Sequence, residues 1–393
     1  MFWPVFQPVP SRKSRKKYSP RLSGLVVYFD PVGGRSMSFE HPVLILLHIA
    51  GFAIFTSLGF SGFMIFAGFL DKPDHRSNHT RPVPTAGGVG IVAGMGAGLL
   101  ALMLFYPDYG DHRLLGSVAA LGFGAALLGM FDDLYAVSSK LKFAVILILA
   151  SAAVIVIGPP LWFPVAVINI PVPYFLGFGG ALLWVFVVTN GVNFMDGANG
   201  MMALSMSVSF VALAIISVWI DASEAAILSA VMAAALIGFA PYNIGKRAMI
   251  FSGDVGSLLV GFGYGVSALI LVAEAPRAGV LYVGPLLILP FLTDILLTML
   301  LRVRRGEQLL APHKTHLYQR LIASGKSHPA VSTLYGLGAM FMAVITIAAL
   351  AFGIIRSLFF LALWVNILVM AYLVIHKKLA ASLPDQPQNP PDD

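Results

Sequence analysis

The chain has 393 residues, of which 58% are hydrophobic and only 11% are charged, and its mean hydropathy is +0.86. Soluble domains carry about a quarter charged residues, so this composition excludes a soluble globular protein and indicates a surface that faces lipid. The formal net charge is +7, but no recognition module for DNA or RNA is present, and we expect no nucleic acid partner. In a membrane protein, basic residues report topology and contact with anionic membrane lipid.

Apolar runs long enough to cross a bilayer recur along most of the chain, since a spanning helix needs about 20 such residues. Eleven runs lie at 43–70, 86–106, 114–131, 142–158, 174–190, 201–220, 223–241, 255–273, 279–298, 330–353 and 357–376. Only a short turn around Asp221 separates two of them, so ten spans are the alternative. The sequence predicts an all-α polytopic membrane protein of about eleven transmembrane helices.

Two flanking segments differ from this membrane domain, which we place at residues 41–376. Residues 1–40 contain seven Lys or Arg, several Pro and no apolar periodicity, and they lack the features of a secretory signal. We predict a basic, disordered extension at 1–40 and a disordered tail at 377–393, which is rich in Pro, Asn and Asp.

The charges of the loops predict the orientation of the chain. Outside residues 1–40, 15 of the 18 Lys and Arg residues fall in one set of alternate connections, which the positive-inside rule places in the cytoplasm. Eleven spans would leave the charges of the extension outside. We therefore expect translation to begin at Met37, with a miscounted span or a costly crossing of the tail as the alternatives. A native peptide covering Arg12–Lys17 would contradict this expectation.

One connection of the opposite set, from Leu161 to Tyr174, has β-branched residues bounded by prolines. This pattern is typical of a short β-hairpin, which we place on the periplasmic surface. It contains no acidic, basic or histidine side chain, so we predict a structural role.

Unusual polar residues concentrate in the five cytoplasmic loops. The first, Asp71–Gly88, combines Lys72, Arg76 and two histidines with a Gly pair that lets backbone approach an anion. A solvated basic loop is the alternative. The glycines of Gly88–Gly94 are better explained by close helix packing than by a nucleotide-binding turn, because no βαβ unit surrounds them.

The second loop opens with Asp132 and Asp133 at the end of a span, and Lys140 and Lys142 follow. Adjacent carboxylates repel each other and are costly at a membrane boundary without a cation. Helix capping and salt bridges to the lysines would give the pair a structural role. As a functional pair, the two carboxylates would lie near a divalent metal or act as a base.

The third loop, Asn190–Gly200, intersperses Asn190, Asn193, Asp196 and Asn199 with glycines. A simple turn would need far fewer polar side chains. We therefore predict contacts with a nucleotide head group, which the glycines would let the backbone approach.

In the fourth loop, Asp254 stands among glycines and serines at the start of a span. Mg²⁺ typically takes one or two protein carboxylates and completes its shell with water and substrate phosphates. Asp254 is therefore our candidate metal ligand. N-capping of the following helix is the competing explanation, and the two roles are compatible.

The fifth loop is the longest and most basic, and it contains Arg302, Arg305, His313 and His316. The two histidines share a face if this segment is helical, but no third zinc ligand is nearby and the surrounding cations oppose a metal. Phosphate binding is favoured instead, with Arg as a forked donor and His as a donor or an acid.

Together the loops offer carboxylates for one Mg²⁺, cations for a diphosphate and polar groups for a nucleoside. This combination favours phosphoryl transfer from a nucleotide-activated donor to a lipid phosphate, with catalysis by positioning and charge neutralisation. A transporter of a lipid or an anionic solute is the alternative. Transporters place polar residues at the bilayer midplane, often within two repeats, whereas here only Asp294 lies well inside a span and no repeat is visible.

Five segments, in this order, resemble motifs of the polyprenyl-phosphate N-acetylhexosamine-1-phosphate transferase family. They are Asp71–Gly88, Gly129–Asp133, Asn190–Gly200, Gly253–Ser257 and His313–Gln319. The resemblance covers roughly residues 43–376 and implies an enzyme of the bacterial inner membrane. In the implied reaction, undecaprenyl phosphate takes the sugar phosphate from a UDP-N-acetylhexosamine, UMP is released, and a lipid-linked cell-envelope polysaccharide is started. A direct attack on the β-phosphate and a route through an aspartyl-phosphate are both open.

The resemblance also implies roles for single residues. Asp254 would bind Mg²⁺, with Mn²⁺ as the alternative, and Asp132 would deprotonate or orient the lipid phosphate. The further candidate catalytic residues are Asp133, Asp196 and His316. The candidate substrate-binding residues are Lys72, Arg76, Lys140, Asn190, Asn193, Asn199, Arg302, Arg305 and His313.

Three features bear on the donor that the resemblance implies. Arg81–Gly88 departs from the Gly-Thr-Pro-Thr-Met-Gly-Gly loop of phospho-muramoyl-pentapeptide translocases, which argues against that substrate. Asn199 stands where many relatives have Asp, at a position expected near the uracil. His313–Gln319 looks like the corresponding segment of the branch that initiates O-antigen, so UDP-GlcNAc, UDP-QuiNAc and UDP-FucNAc are all open as donors. The oligomeric state is also open, and a homodimer is one possibility.

Overall fold

A computed structural model describes residues 42–68, 70–71, 83–84, 87–165, 168–276, 279–308, 313–354 and 358–382. The basic extension with Met37, the candidate residues Lys72 and Arg76, and the tail beyond residue 382 lie outside the described residues. What the sequence predicts for them stays a prediction.

The described residues form an all-α polytopic membrane protein, as the composition predicts. The helices are α1 (Pro42–Ala67), α2 (Gly87–Phe105), α3 (His112–Tyr135), α4 (Ser139–Ile157), α5 (Tyr174–Met195), α6 (Met201–Trp219), α7 (Ser223–Asn243), α8 (Gly253–Glu274), α9 (Val283–Leu287), α10 (Leu289–Arg304), α11 (Leu317–Ala323), α12 (His328–Ala351) and α13 (Leu358–Ser382). Within the described ranges, ten of them, all except α9 to α11, are long and apolar enough to cross a membrane. The turn at Asp221 does separate α6 from α7.

The predicted span 279–298 is not one straight helix. Instead, α9 and α10 meet at a bend of 73° and together make the eleventh candidate span. Pro290 lies in the first turn of α10, where it lacks an N–H and its ring would clash with the carbonyl of Leu286 in a continuous helix. The apolar run was predicted correctly, but its break was not.

Two short antiparallel strand pairs connect helices. β1 (Leu70–Asp71) pairs with β2 (Val83–Pro84) between α1 and α2. β3 (Trp162–Val165) pairs with β4 (Ile168–Pro171) between α4 and α5, with Trp162 opposite Pro171. The second pair confirms the predicted hairpin.

Helix α8 forms the centre of the bundle. Every residue from Val255 to Val272 is buried, and α3, α5 and α7 pack around it. A helix that is apolar on all sides can be covered by lipid or by protein, and here protein neighbours cover α8 on every side. The packing of those neighbours therefore fixes the position of the first turn of α8, where the polar Gly253–Ser257 segment begins.

Glycine allows α3 to contact the backbone of this first turn. A Cβ atom added at Gly129 would lie 2.2 Å from the carbonyl oxygen of Asp254. Neither the carbonyl nor the helix can move away without loss of packing, so only glycine fits here. Gly129 comes three residues before Asp132, and the close contact brings that carboxylate next to α8.

The Gly pair that begins α2 makes a similar contact. The N–H groups of Gly87 and Gly88 donate to the carbonyls of Phe251 and Ser252, each at 2.9 Å. A Cβ on Gly88 would lie 2.3 Å from the amide nitrogen of Gly256. The contact of Gly88 agrees with the interpretation of the glycines at the start of α2 as packing residues, but the predicted approach of the Gly pair to an anion finds no support, because both N–H groups already donate to carbonyls.

We expect Gly129→Ala to destabilise the protein by about 1–3 kcal/mol or to prevent folding, because the new methyl group overpacks the junction of α3 and α8. The matched control is Gly116→Ala in the same helix, since a Cβ there meets nothing within 4 Å. Thermal unfolding of the purified proteins in detergent measures the difference. Equal melting temperatures for the two variants would show that the junction is not tight.

Candidate active site

Polar helix ends converge at one end of the bundle. Asp132 and Asp133 lie in the last turn of α3, Lys142 in the first turn of α4, Asn193 in the last turn of α5, and Asp254 in the first turn of α8. The hairpin β3–β4 lies at the opposite end, because α4 runs away from this group and α5 returns to it. Three of the five predicted loops therefore meet in space.

Lys142 joins two of the carboxylates. Its Nζ atom forms a salt bridge with Asp132 and lies 2.6 Å from Oδ2 of Asp254. Asn193 donates from Nδ2 to Oδ1 of Asp254 and to the hydroxyl of Ser257, both at 2.8 Å. Side chains from α4 and α5 thus hold the Asp254 carboxylate in one orientation.

Asp133 contacts the start of α8. Its Oδ1 accepts from the N–H of Asp254 at 3.0 Å, and its Oδ2 accepts from the N–H of Val255 at 3.4 Å. These N–H groups have no partner within their own helix, and the carboxylate also lies at the positive end of the helix dipole. Asp133 therefore caps α8 from α3 and positions Asp254, while its contact with a substrate stays a prediction.

Asp196 follows the last residue of α5 and accepts a hydrogen bond from the hydroxyl of Ser252. Burial, together with the charges of Asp254 and Asp133, raises the pKa of the Asp196 carboxyl from 3.8 to about 8, although the Ser252 hydroxyl opposes this shift. At neutral pH the Asp196 carboxyl therefore holds a proton as long as no cation is bound nearby.

We refer to Asp132, Asp133, Asp196 and Asp254 as the acidic cluster. In the part of the chain that the structure describes, Lys142 is the only Lys or Arg within salt-bridge distance of the cluster. The cluster therefore carries more negative charge than its protein partners neutralise. This excess favours the binding of a divalent cation.

The donor set fits Mg²⁺ better than a soft metal. Among the described residues, no group of three His, Cys, Asp or Glu is arranged to hold a metal ion. Mg²⁺ needs only one or two protein carboxylates when water and phosphate oxygens fill its shell. Asp254 and its neighbours carry hard oxygen atoms of the kind that such a sparse site would use.

A cavity of about 230 Å³ opens beside the acidic cluster. The predicted residues that line it are Asp133, Asn193, Asp196, Asn199 and Asp254. Five other lining residues with polar or aromatic side chains were not among the candidates: Asn243, Phe251, Ser252, Ser257 and His328. Phe251, Ser252 and Ser257 flank Asp254 in sequence, and Asn243 and His328 are polar residues at the ends of apolar runs, which is the signal that could have identified them.

The structure places Lys142, and not the candidate Lys140, in the cluster. The two residues lie two positions apart in the first turn of α4, and residues at that spacing point to different sides of a helix. Lys140 is exposed, whereas Lys142 is half-buried. The helical spacing defines the angle between the two side chains around α4, but it does not say which side of α4 faces α8. The sequence therefore could not show which lysine belongs to the cluster. The role of Lys140 in substrate binding stays a prediction.

The two outer asparagines of the third loop differ in their surroundings. Asn199 lines the cavity, its Nδ2 donates to the carbonyl of Gly245 at 3.2 Å, and its N–H donates to Nδ1 of His328 at 3.4 Å. Asn190 is buried within α5, where its Nδ2 donates to the carbonyl of Phe186 at 2.8 Å. Asn190 does not line the cavity, and its predicted contact with substrate stays a prediction.

The arginines of the fifth loop share one acidic partner. Nη1 of Arg302 lies 3.0 Å from Glu307 and Nη2 donates to the carbonyl of Gln308 at 2.6 Å, while Arg305 lies 3.7 Å from Glu307. Neither arginine lines the cavity. A phosphate would have to compete with Glu307 for them.

The histidines of the fifth loop lie next to each other. The ring centroids of His313 and His316 are 5.0 Å apart, and the Thr315 hydroxyl lies 2.9 Å from Nδ1 of His313. Burial, with smaller effects of His316 and Arg302, lowers the pKa of His313 to about 3. His313 is therefore neutral at physiological pH. Neither histidine lines the cavity.

Comparison with known proteins matches residues 115–272 to the family described as Glycosyl transferase family 4. This range contains all four carboxylates of the acidic cluster. The chain is 30% identical to the decaprenyl-phosphate N-acetylglucosaminephosphotransferase of Mycobacterium tuberculosis, over 75% of this chain and 76% of that protein.

Two further relatives cover similar shares. A probable undecaprenyl-phosphate N-acetylglucosaminyl 1-phosphate transferase of Bacillus subtilis is 27% identical, over 80% of this chain and 84% of the relative. The undecaprenyl-phosphate alpha-N-acetylglucosaminyl 1-phosphate transferase of Salmonella typhi is 26% identical, over 72% of this chain and 77% of the relative.

We expect Asp196→Asn to raise the melting temperature of the metal-free protein, and to raise it more at pH 8.5 than at pH 5. The folded pKa of about 8 lies above the usual 3.8, so this carboxyl contributes most to stability at acid pH and loses that contribution as the pH rises through 8. Asparagine removes the titration. Thermal unfolding in the presence of a chelator at both pH values measures the change in melting temperature, and the exposed Asp108→Asn is the control. An increase in melting temperature that does not depend on pH would contradict the raised pKa of Asp196.

Proposed function

The chain belongs to the polyprenyl-phosphate N-acetylglucosamine-1-phosphate transferase family, and on this premise we propose that it transfers an N-acetylhexosamine 1-phosphate from a UDP-sugar to undecaprenyl phosphate. An oxygen of the lipid phosphate forms a bond to the β-phosphorus of the donor. The bond between that phosphorus and the bridging oxygen breaks, and UMP leaves with the electron pair. The product is a lipid diphosphate sugar that starts a lipid-linked cell-envelope polysaccharide.

The observation that carries this proposal is the acidic cluster with Lys142 at the ends of four helices. Both substrates are phosphate anions, so the reaction requires positive charge that the cluster does not contain. A cation held by carboxylates supplies it, and catalysis then depends mainly on positioning and charge neutralisation. A transporter would not need this cluster beside a polar cavity, and the relatives are transferases by name.

Asp254 is the proposed ligand of Mg²⁺, with Mn²⁺ as the alternative. When bound, the cation would neutralise the diphosphate of the donor and polarise the phosphorus that is attacked. Asn193 and Lys142 orient the Asp254 carboxylate through their hydrogen bonds, at 2.8 and 2.6 Å. Asp133 fixes the backbone of Asp254 from the other side.

Asp132 is the proposed group that accepts a proton from the lipid phosphate or orients it. Its salt bridge to Lys142 links it to Asp254, so the acceptor and the donor diphosphate would meet at one lysine. Lys142 neutralises part of the charge that would otherwise repel two phosphates. On this proposal the reacting groups would lie between α3, α4 and α8.

The cavity lined by Asn193, Asp196 and Asn199 is the proposed position of the nucleotide. The carboxyl of Asp196 can accept a hydrogen bond from a base or a ribose hydroxyl, and amide side chains can both donate and accept. From the fifth loop, His313, His316, Arg302 and Arg305 are proposed to hold phosphate and sugar. Because they lie outside the cavity in this structure, substrate binding would have to bring them closer.

We place the enzyme in the bacterial inner membrane with the acidic cluster facing the cytoplasm. The distribution of Lys and Arg among the loops supports this orientation, and UDP-sugars are made in the cytoplasm. The names of the relatives make UDP-N-acetylglucosamine the first donor to test.

We expect the purified protein to release UMP from a UDP-N-acetylhexosamine only when undecaprenyl phosphate and Mg²⁺ are both present. EDTA should abolish the release and added Mg²⁺ should restore it. Asp254→Asn should lower kcat by about 100-fold or more because it removes the ligand that holds the charge in place. Asp108→Asn, at an exposed position, is the control. Folded protein that releases no UMP from any donor of the panel would contradict the proposal.

We also expect the two lysines of the second loop to differ in a matched pair of variants. Lys142→Gln should lower kcat by about 100-fold, because Asp132 and Asp254 would then repel each other without a shared cation. Lys140→Gln should leave kcat within about 3-fold, as is usual for an exposed residue without a role in turnover. UMP release at saturating substrate measures both, and the reverse order would favour Lys140 as the functional lysine.

A further inference from the structure

The bent helix α10 carries a buried carboxylate to which the proposed reaction assigns no role. Asp294 is only 1% exposed and lies five residues after the start of α10. A charged group at such a position is costly unless protein donors surround it. The contacts of this side chain therefore indicate what it is for.

Four hydrogen-bond donors occupy the acceptor positions of the Asp294 carboxylate. Oδ1 accepts from the N–H of Leu317 at 2.8 Å and from the hydroxyl of Thr298 at 3.1 Å. Oδ2 accepts from the N–H of Tyr318 at 3.2 Å and from the hydroxyl of Tyr335 at 2.6 Å. A carboxylate has about four acceptor positions. Asp294 thus has no capacity left for a metal or a substrate.

Two of these donors are the first N–H groups of α11. Asp294 therefore caps that helix from α10, and in doing so it fixes the segment that carries the histidines of the fifth loop. The side chain of Gln319 also accepts from the N–H of His316 at 3.2 Å. The start of α11 is therefore held by Asp294 of α10 and by Gln319 of α11 itself.

Asp294 also contacts the ring of His316. Nδ1 of His316 lies 3.4 Å from Oδ1 of Asp294. The ring is 2% exposed and lies between Phe194 and Tyr318, at centroid distances of 6.2 and 6.0 Å. At this distance Nδ1 of His316 makes no hydrogen bond with any described residue, so the ring is held by its aromatic neighbours and by the two bonds that the backbone N–H groups after His316 donate to Asp294.

The same segment is attached to the third loop. The hydroxyl of Tyr318 donates to the carbonyl of Phe194 at 3.1 Å, and a Cβ on Gly197 would lie 2.1 Å from that hydroxyl. Gly197 follows Asp196 in sequence. The position of α11 is therefore linked to the loop that bears a carboxylate of the acidic cluster.

We propose that Asp294 is a positioning residue that orients His316 and holds the fifth loop against the third. This inference rests on the proposed function, because the part of His316 in turnover is itself proposed. A carboxylate is required here since all its partners are donors. In Asp294→Asn, the amide NH₂ would face a donor, and one or more of the four bonds would be lost.

The first test is a double-mutant cycle with Asp294→Asn and His316→Gln, measured as kcat for UMP release. We expect Asp294→Asn to lower kcat by about 10-fold or more, as for other residues that orient a functional histidine. The double variant should match His316→Gln within about 3-fold, because the two residues act as a unit. Independent, multiplying losses, or full activity of Asp294→Asn, would overturn the proposal.

A second pair of variants covers the case in which Asp294→Asn does not fold. Tyr335→Phe and Thr346→Val each delete a buried hydroxyl from α12, but only Tyr335 contacts Asp294, while Thr346 donates to the carbonyl of Met342 in its own helix. We expect Tyr335→Phe to lower kcat in the wild-type background and not in the His316→Gln background. Thr346→Val should have no effect in either. Equal effects of the two variants would overturn the proposal.

Hydrogen exchange tests the same contacts without activity. In Asp294→Asn, or in Tyr335→Phe, peptides that cover residues 316–320 should exchange faster than in the wild type, while peptides of α6 should not change. Unchanged exchange at 316–320 would overturn the inference. Wild-type protein that releases no UMP contradicts the proposed function instead, so the two failures are distinguishable.

Discussion

The start of α8 is the feature on which the site depends. Because α8 is buried from Val255 to Val272, its first turn is the point where unpaired N–H groups meet polar surroundings, and they need acceptors there. Asp133 supplies two acceptor oxygens from α3. The positive end of the helix thus attracts carboxylates that would otherwise repel one another, and Lys142 adds a full charge between two of them.

This arrangement explains why a hydrophobic bundle holds four carboxylates so close together. The glycine contacts on α2 and α3 allow the backbones to approach, and the carboxylates satisfy what the backbone of α8 lacks. The remaining negative charge is not needed for the fold. It is available for a cation and, through the cation, for anionic substrates. The stability of the bundle favours a neutral carboxyl at residues such as Asp196, whereas the proposed chemistry uses negative charge there.

Much of this architecture could be predicted from the sequence, because hydropathy and charge bias are local properties. The spans, the hairpin and the three loops with Asp132, Asn193 and Asp254 follow from such patterns. The choice between Lys140 and Lys142 could not be predicted, since it depends on the rotation of α4 relative to α8. Nor could the role proposed for Asp294, because three of its four hydrogen-bond donors lie in α11 and α12, and no pattern near α10 indicates that these helices meet it.

The depth of the acidic cluster has a consequence for how the two substrates would arrive. Asp132 lies three residues before the end of α3, which is about 4.5 Å along the helix axis at 1.5 Å per residue. In the proposed orientation, with the end of α3 at the cytoplasmic surface of the membrane, this position would be at the level of the lipid head groups rather than in bulk water. A lipid phosphate would reach it by lateral diffusion in the plane of the membrane, whereas a sugar nucleotide would come from solution. The rate would then follow the surface density of one substrate and the volume concentration of the other, so dilution of the acceptor with inert lipid would slow turnover even when the amounts of enzyme and acceptor are unchanged.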